Sequence, residues 1–442
     1  MFVLGWTTFG FAGLYPSALV VPALVCALLA IAYRPWAYGG RPMPALDVCL
    51  ALIVAAIAAQ MLPLPAFLID VISPADRRAW QQLSLAVPSA LPISIDLGRT
   101  ARALLVTTGG VLLFVVARRV FSTGGVRIVA RGVSLIGLLV SAIALAQDAT
   151  ANGLMYWRWK PLDEGPPPFG PFVNRNHFAT WVILAAPLCL GYLAAHAQVH
   201  HHHGPVEGIP WRRRLVTFFD GRAMGLTAAA CLMVVALVMT LSRSGLAGMG
   251  AAAAVGAFLR MNRGRAAGRT FWWLLAGSAL AIGLTLAETT PAALAHRLAT
   301  VGVSATGRLL IWRDTMSIVK DFWLTGTGAG TYLTSMLLYQ RSSPGWLYNQ
   351  AHNHYLQIVS EGGLMVGLPV AIALGCFVRE AWRSLHRDTS GMYWVRAGAF
   401  SGLAGVAAQS VWETGLTMPA NAALAALAAA IVVHGAGTRT RT

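Results

Sequence analysis

The sequence predicts an all-α polytopic membrane protein, and two observations carry that prediction. The first is composition. Hydrophobic residues make up 57%, charged residues only 11%, and the mean hydropathy is +0.62. An ordinary soluble domain carries about a quarter charged residues. The second is the recurrence of apolar runs near the length at which a helix crosses a hydrocarbon core. Lipid offers backbone groups no partner, so helices are the expected spanning element.

Spans are expected near 17–33, 45–66, 103–120, 128–147, 176–195, 223–241, 244–260, 271–287, 363–379, 395–411 and 418–435. A shorter stretch, Phe2–Leu14, is broken from the next by Tyr15-Pro16 and supplies one more. The expectation is therefore about twelve transmembrane helices, with eleven as the alternative. Three parts follow: N-terminal transmembrane helices over 1–287, a large helical loop over 288–362, and C-terminal transmembrane helices with a basic tail over 363–442. No basic segment precedes the first apolar run, so no cleavable signal peptide is expected.

A net charge of +17 would point to nucleic acid in a soluble chain. Here the basic residues gather in alternate connections: Arg118, Arg119, Arg127 and Arg131; Arg212, Arg213 and Arg214; Arg260 and Arg263; Arg379, Arg383 and Arg387; and the tail. Positive loops stay cytoplasmic, so membrane topology accounts for the charge and no nucleic-acid partner is expected. The opposite side then holds 67–102, 148–175, the short Ser242-Arg243-Ser244 turn, 288–362, and Trp412-Glu413-Thr414. The five cysteines all fall within apolar runs and read as packing residues without disulfides. The run His200–His203 lies on the cytoplasmic side and reads as a solvated loop.

Arginines on the side that should be poor in them are the first chemical signal. Arg243 sits in a tight turn among Thr240, Ser242 and Ser244. A charge near membrane depth is costly and marks function more often than decoration, although a long side chain can also snorkel to the interface. Arg175 opens a span within Asn174-Arg175-Asn176-His177, where helix capping by an asparagine is the competing reading. Arg308 lies in Gly307-Arg308-Leu309-Leu310-Ile311-Trp312, which reads as an amphipathic helix with Leu309, Trp312 and Met316 on one face. Gly326-Thr327-Gly328-Ala329-Gly330 follows. Such loops can bring backbone N–H groups to a phosphate, but the lysine of a nucleotide-binding loop is missing.

The second signal is Ala351-His352-Asn353-His354-Tyr355-Leu356-Gln357, placed where the chain re-enters the membrane. If Ala351 to Ser360 is helical, His352 and His354 point to opposite faces, so a two-histidine metal site is not expected. Acidic residues number only 16, and no Asp-x-Asp pair occurs. An imidazole near arginines and without a metal suits a general base.

In order, Ser-Arg-Ser-Gly at 242–245, Gly-Arg-x-x-x-Trp at 307–312, Gly-x-Gly-x-Gly-Thr-Tyr at 326–332 and His-Asn-His-Tyr-Leu-Gln at 352–357 resemble the O-antigen ligase and polymerase superfamily. Asn174-Arg175-Asn176-His177 is similar to its earlier motif, and His352-Asn353 with Gly363 beyond resembles the ligase pattern. The resemblance implies a fold similar to the family-C glycosyltransferases and a multi-pass location in a Gram-negative inner membrane. It implies metal-independent, inverting transfer of a glycan from undecaprenyl pyrophosphate to a sugar hydroxyl of lipid A–core oligosaccharide at the periplasmic face, with no cofactor. His352 would be the base, and Arg243 and Arg308 would hold the pyrophosphate. Arg175, Asn176, His177, Trp312, Asn353 and Tyr355 would bind substrate, with Tyr332 and Tyr348 as further sugar contacts. A polymerase, or a ligase that glycosylates proteins, would use the same residues. A lipid-linked glycan flippase is the alternative from another class. It fits less well, because no repeated halves are visible and the informative residues gather on one side.

Overall fold

A computed structural model describes residues 1–35, 43–83, 90–161, 168–201, 220–263, 301–342 and 347–435. The expected span at 271–287, the tail arginines, His202 and His203 lie outside these residues. In chain order the helices are α1 Phe2–Phe9, α2 Ser17–Tyr33, α3 Pro44–Ala59, α4 Ala66–Ile72, α5 Pro74–Leu83, α6 Leu97–Thr123, α7 Val126–Thr150 and α8 Arg175–His201. There follow α9 Gly221–Met239, α10 Arg243–Met261, α11 Val301–Asp321, α12 Tyr332–Tyr339, α13 His354–Arg387, α14 Met392–Gln409 and α15 Pro419–Val433. A two-residue strand pair, Leu64–Pro65 with Ala90–Leu91, is the one sheet among the described residues. The all-α expectation stands.

Six helices among the described residues are long and apolar enough to cross a membrane: α6, α7, α8, α9, α10 and α13. Three further apolar helices, α2, α3 and α15, are shorter. The stretch expected as an extra span, Phe2–Leu14, divides into α1 and a 3₁₀ turn at Phe11–Gly13. Eight helical residues reach only about 12 Å, well short of a hydrocarbon core of about 30 Å.

Helix α8 is the axis of the bundle. Every residue from Phe178 to Ala186 is buried, the signature of a helix that is apolar all round and packed on every side. Its closest partner is α14, and glycines set the approach. A Cβ on Gly398 would lie 2.2 Å from the Pro187 carbonyl oxygen, and one on Gly405 would lie 2.6 Å from the Gly248 carbonyl oxygen of α10. Small residues at such crossings let helix backbones come together in lipid.

Helix α13 bends at Gly363, whose φ of 53° and ψ of −155° depart from helical values. The bend admits the chain after α11: Leu364 N–H donates to the Trp323 carbonyl at 2.9 Å, and Met365 N–H to that of Leu324 at 2.9 Å. A Cβ on Gly363 would lie 2.5 Å from Gly326 N, so a side chain has no room there. The bend thereby locks the 322–332 segment onto the turn of α13 that follows His354.

Candidate active site

One end of the bundle collects the N-termini of α8, α10, α13 and α15 with the C-terminal end of α14. Thr180 Oγ1 donates to Gln409 Oε1 at 2.8 Å, tying α8 to α14. A Cβ on Gly245 would stand 2.6 Å from Ala179 Cβ, which seats the start of α10 against α8. His354 N–H donates to the Ser410 carbonyl at 2.8 Å, tying α13 to the same place. Of the charged residues singled out by the sequence, His352 and Arg308 meet at the seam so formed.

At its centre is Glu413, in the short connection between α14 and α15 and fully buried. Asn176 Nδ2 donates to its Oε2 at 2.7 Å. Its Oε1 faces His352 Nδ1 at 3.5 Å, and neither atom has another hydrogen-bond partner. The His352 side chain keeps 30% of its surface exposed while that of Glu413 has none, so the pair has one wet and one dry member. Burial pushes the Glu413 carboxyl up, but the His352 N–H and the charges of His352, His177 and Arg308 outweigh it and hold the group below its ordinary value. Glu413 is therefore an anion at neutral pH. It favours a proton on His352 Nδ1, which leaves Nε2 as the acceptor on the open side.

His352 is not on a helix, which corrects the helical-face argument. Helix α13 starts at His354 behind the cap Asn353, whose Oδ1 accepts from Leu356 N–H at 3.0 Å. His352 precedes the cap with φ of 48°, a left-handed conformation uncommon outside glycine. Such backbone persists where surrounding contacts hold it, and here they do. Trp312 Nε1 donates to the Ala351 carbonyl at 3.0 Å, and Ala351 N–H donates to Gln357 Oε1 at 3.2 Å. The two imidazoles are thus separated by the cap rather than by helical periodicity.

The arginines differ in how closely they join this centre. Arg308, on α11, is near enough for its charge to act on Glu413. Arg243 is exposed, one residue past the α10 cap Ser242, in a turn strained by Leu241 at φ 52°. It stands at the same end of the bundle through the Gly245–Ala179 contact. Arg175 opens α8, and its charge acts on Asp148 of α7. His177 is buried, with Nε2 lacking a partner and its carbonyl accepting from Asn421 Nδ2 at 3.0 Å.

Several sequence expectations need correction. The 326–332 loop does not offer its N–H groups to a phosphate. Gly328 N–H donates to the Glu361 carbonyl at 2.9 Å, Gly330 N–H to Glu361 Oε2 at 2.8 Å, and Tyr332 N–H to Glu361 Oε1 at 3.2 Å. Ala329 N–H donates to Gln60 Oε1 at 3.0 Å, and Gln60 Nε2 donates to the Thr325 and Glu361 carbonyls. The loop is wrapped around the buried Gln60 and the half-buried Glu361 side chains. Tyr332 is buried, its hydroxyl bonded to that of Thr315 at 2.6 Å, so it has no face for a sugar. On α11 Leu309 and Met316 do share a face, and it points outward: they are 60% and 43% exposed, while Ile311, Asp314, Thr315 and Ile318 are buried. The Tyr355 hydroxyl is engaged with the Ala407 carbonyl at 2.7 Å, and Tyr348 is half-buried against the Ile318–Phe322 cluster.

Glu413 and Gln350, whose Oε1 accepts from the Thr414 hydroxyl, were missed by the sequence reading. The signal for Glu413 was a carboxylate in the Trp412-Glu413-Thr414 connection, on the same side as the arginine motifs. Among the described residues, no group of three or more His, Cys, Asp or Glu side chains is disposed to hold a metal ion.

Residues 228–371 match the family model described as O-antigen ligase. Comparison with curated proteins finds no match. The matched stretch runs from α9 past the Gly363 bend and takes in Arg243, Arg308 and His352, while Asn176 and Glu413 lie beyond it. The match covers about a third of the chain, so that segment is similar to the O-antigen ligase family, and the six long apolar helices support a multi-pass membrane protein.

Proposed function

We propose, from that family match and the geometry of the site, that this protein is an O-antigen ligase that moves a glycan from undecaprenyl pyrophosphate to a sugar hydroxyl of lipid A–core oligosaccharide at the periplasmic face of the inner membrane. The observation that carries the reading is the pairing of His352 with the buried Glu413 beside Arg308. His352 Nε2 takes the proton of the acceptor hydroxyl as that oxygen attacks the anomeric carbon. The bond from that carbon to the pyrophosphate oxygen breaks, and the electron pair leaves with undecaprenyl pyrophosphate. Displacement from the opposite face inverts the anomeric configuration.

Glu413 holds the tautomer and stabilises the imidazolium that forms, and Asn176 holds Glu413. Arg308 and Arg243 meet the charge that develops on the leaving group, where preorganised guanidiniums are most effective; Arg175 assists at the mouth. Trp312 and Asn353 act chiefly by positioning the backbone of His352, since their polar groups are spent on Ala351 and Leu356. The scarcity of carboxylates assigns leaving-group stabilisation to arginine rather than to a divalent ion.

Deletion of the gene tests the ligase assignment. Lipid A–core should remain uncapped while undecaprenyl-linked polymer of normal length accumulates. Loss of the polymer itself would assign the chain to the polymerases instead.

A further inference from the structure

Helix α11 turns one line of side chains away from the protein. Leu309, Arg313, Met316 and Lys320 are all exposed and fall within an arc of about 60° around the helix axis. Trp323, also exposed, continues the line just beyond the helix end. The opposite side of α11 is spent on the protein. Ile311, Thr315 and Ile318 are buried, and Thr315 meets the Tyr332 hydroxyl. The outer line thus alternates apolar and basic residues and holds no carboxylate.

Trp323 joins this line to a membrane-spanning surface. Its carbonyl accepts from Leu364 N–H at 2.9 Å, immediately after the Gly363 bend of α13. From Leu364 to Val378 that helix carries no charge, and Arg379 stands about 24 Å beyond Gly363 along the axis. A hydrocarbon core is about 30 Å thick, so Leu364 lies near its edge. Leu364, Leu368 and Ile372, one turn apart, are exposed and form the lipid-facing side of this span. The outer line of α11 therefore runs onto the lipid-facing side of α13. Helix α4 reaches the same bend. Ile69 is buried in a cluster against which Met365 packs, while Phe67 and Val71 are 67% and 77% exposed. Large apolar side chains this bare and contiguous with a span mark an interaction surface.

We propose that α11 and α4 lie in the membrane interface on the His352 side, with Met316, Trp323 and Val71 among the acyl chains and Arg313 and Lys320 on the phosphates of anionic lipid. Apolar and basic residues combined in this way let a helix lie in the plane of a bilayer, and tryptophan favours the headgroup level. A second copy of the chain is the poorer occupant, because two such faces would set four cations together with no carboxylate among them. Anchoring Leu309 fixes its neighbour Arg308 at the depth of the headgroup phosphates, whatever reaction the site performs.

The test places benzoylphenylalanine, a photoreactive residue, at Met316 or at Val71 of the full chain. The protein is reconstituted in nanodiscs of equal phosphatidylglycerol and phosphatidylcholine, irradiated, and its adducts are identified by mass spectrometry. Both positions should give lipid adducts at least about tenfold above those at Thr389, an exposed residue between α13 and α14. From Met316, phosphatidylglycerol should be labelled about fivefold more than phosphatidylcholine, the order of one basic residue's attraction to an anionic surface. Arg313→Gln combined with Lys320→Gln should bring that ratio to about one. Adducts to a second copy of the chain, or labelling at Met316 and Val71 no greater than at Thr389, overturn the proposal. So does a phosphatidylglycerol preference that is absent from wild type or survives loss of both cations. Lipid labelling requires no glycan transfer, so failure of the ligase reading would leave it unchanged.

Discussion

Glu413→Gln keeps the volume of the side chain and removes its charge. Asn176 can still donate to the remaining carbonyl oxygen, so the seam between α8 and the α14–α15 connection should survive. The amide nitrogen then faces His352 Nδ1, which must become the acceptor, and the proton moves to Nε2, where it blocks the base. The imidazolium of the transition state also loses its counter-ion. At the 3.5 Å separation of the pair, with an effective dielectric constant of about 20, the attraction is about 5 kcal/mol. His352 is 30% exposed, and solvent screening reduces the usable part to about 2–3 kcal/mol. That corresponds to a kcat lower by about thirty- to one-hundred-and-fifty-fold. Donor KM should change little, since the interaction strengthens as the imidazolium forms. The assay is transfer of labelled glycan by detergent-purified protein, with membrane abundance checked by immunoblot. A Glu413→Gln enzyme within twofold of wild type would refute the pairing as a catalytic device.

Arg308→Lys keeps the charge but loses the planar fork, so transfer should fall at least about tenfold with insertion unchanged; normal rates in both Arg308→Ala and Arg243→Ala would rule out the pyrophosphate assignment. Transfer should proceed in excess EDTA, and activity lost with chelator and restored by Mg²⁺ or Mn²⁺ would contradict the arginine account. Asp76 on α5 is fully buried, and burial pushes its carboxyl up to about 8, with the Ser73 hydroxyl offsetting only part. The folded state then binds this proton more tightly than the unfolded chain, so stability is fullest below about pH 4 and is lost as pH rises toward about 8. Asp76→Asn should raise the melting temperature at pH 7.5 and flatten that slope; an unchanged slope would show that the carboxyl is ionised in the fold.

How much of this was legible in the sequence depends on the range of the interaction that fixes each residue. The helices were legible because lipid imposes a length and a composition that any apolar run betrays. Arg308 and His352 were legible because a charge or an imidazole is out of place beside membrane. The role of Glu413 was not, because it depends on α14 and α15 bringing a connection more than two hundred residues from Asn176 to that side chain. The glycine loop misled for a related reason: free N–H groups and N–H groups folded around Glu361 and Gln60 have the same local sequence. The direction in which each face of α11 points was not legible, because its polar Asp314 and Thr315 are buried by specific partners. Asp314 Oδ2 accepts from the N–H groups of Arg341 at 3.0 Å and Ser342 at 2.9 Å, while Leu309 and Met316 face outward. Periodicity reads hydrophobicity and cannot see those partners.

The most direct measurement is reconstituted transfer from undecaprenyl-pyrophosphate-linked glycan to lipid A–core by wild type, His352→Ala and His354→Ala at equal abundance. General-base catalysis contributes about a hundred- to ten-thousand-fold. The account predicts capped lipid A–core from wild type, at least a hundredfold less from His352→Ala with donor binding retained, and a milder loss from His354→Ala. Full activity in His352→Ala, or an inactive His354→Ala beside an active His352→Ala, would contradict it.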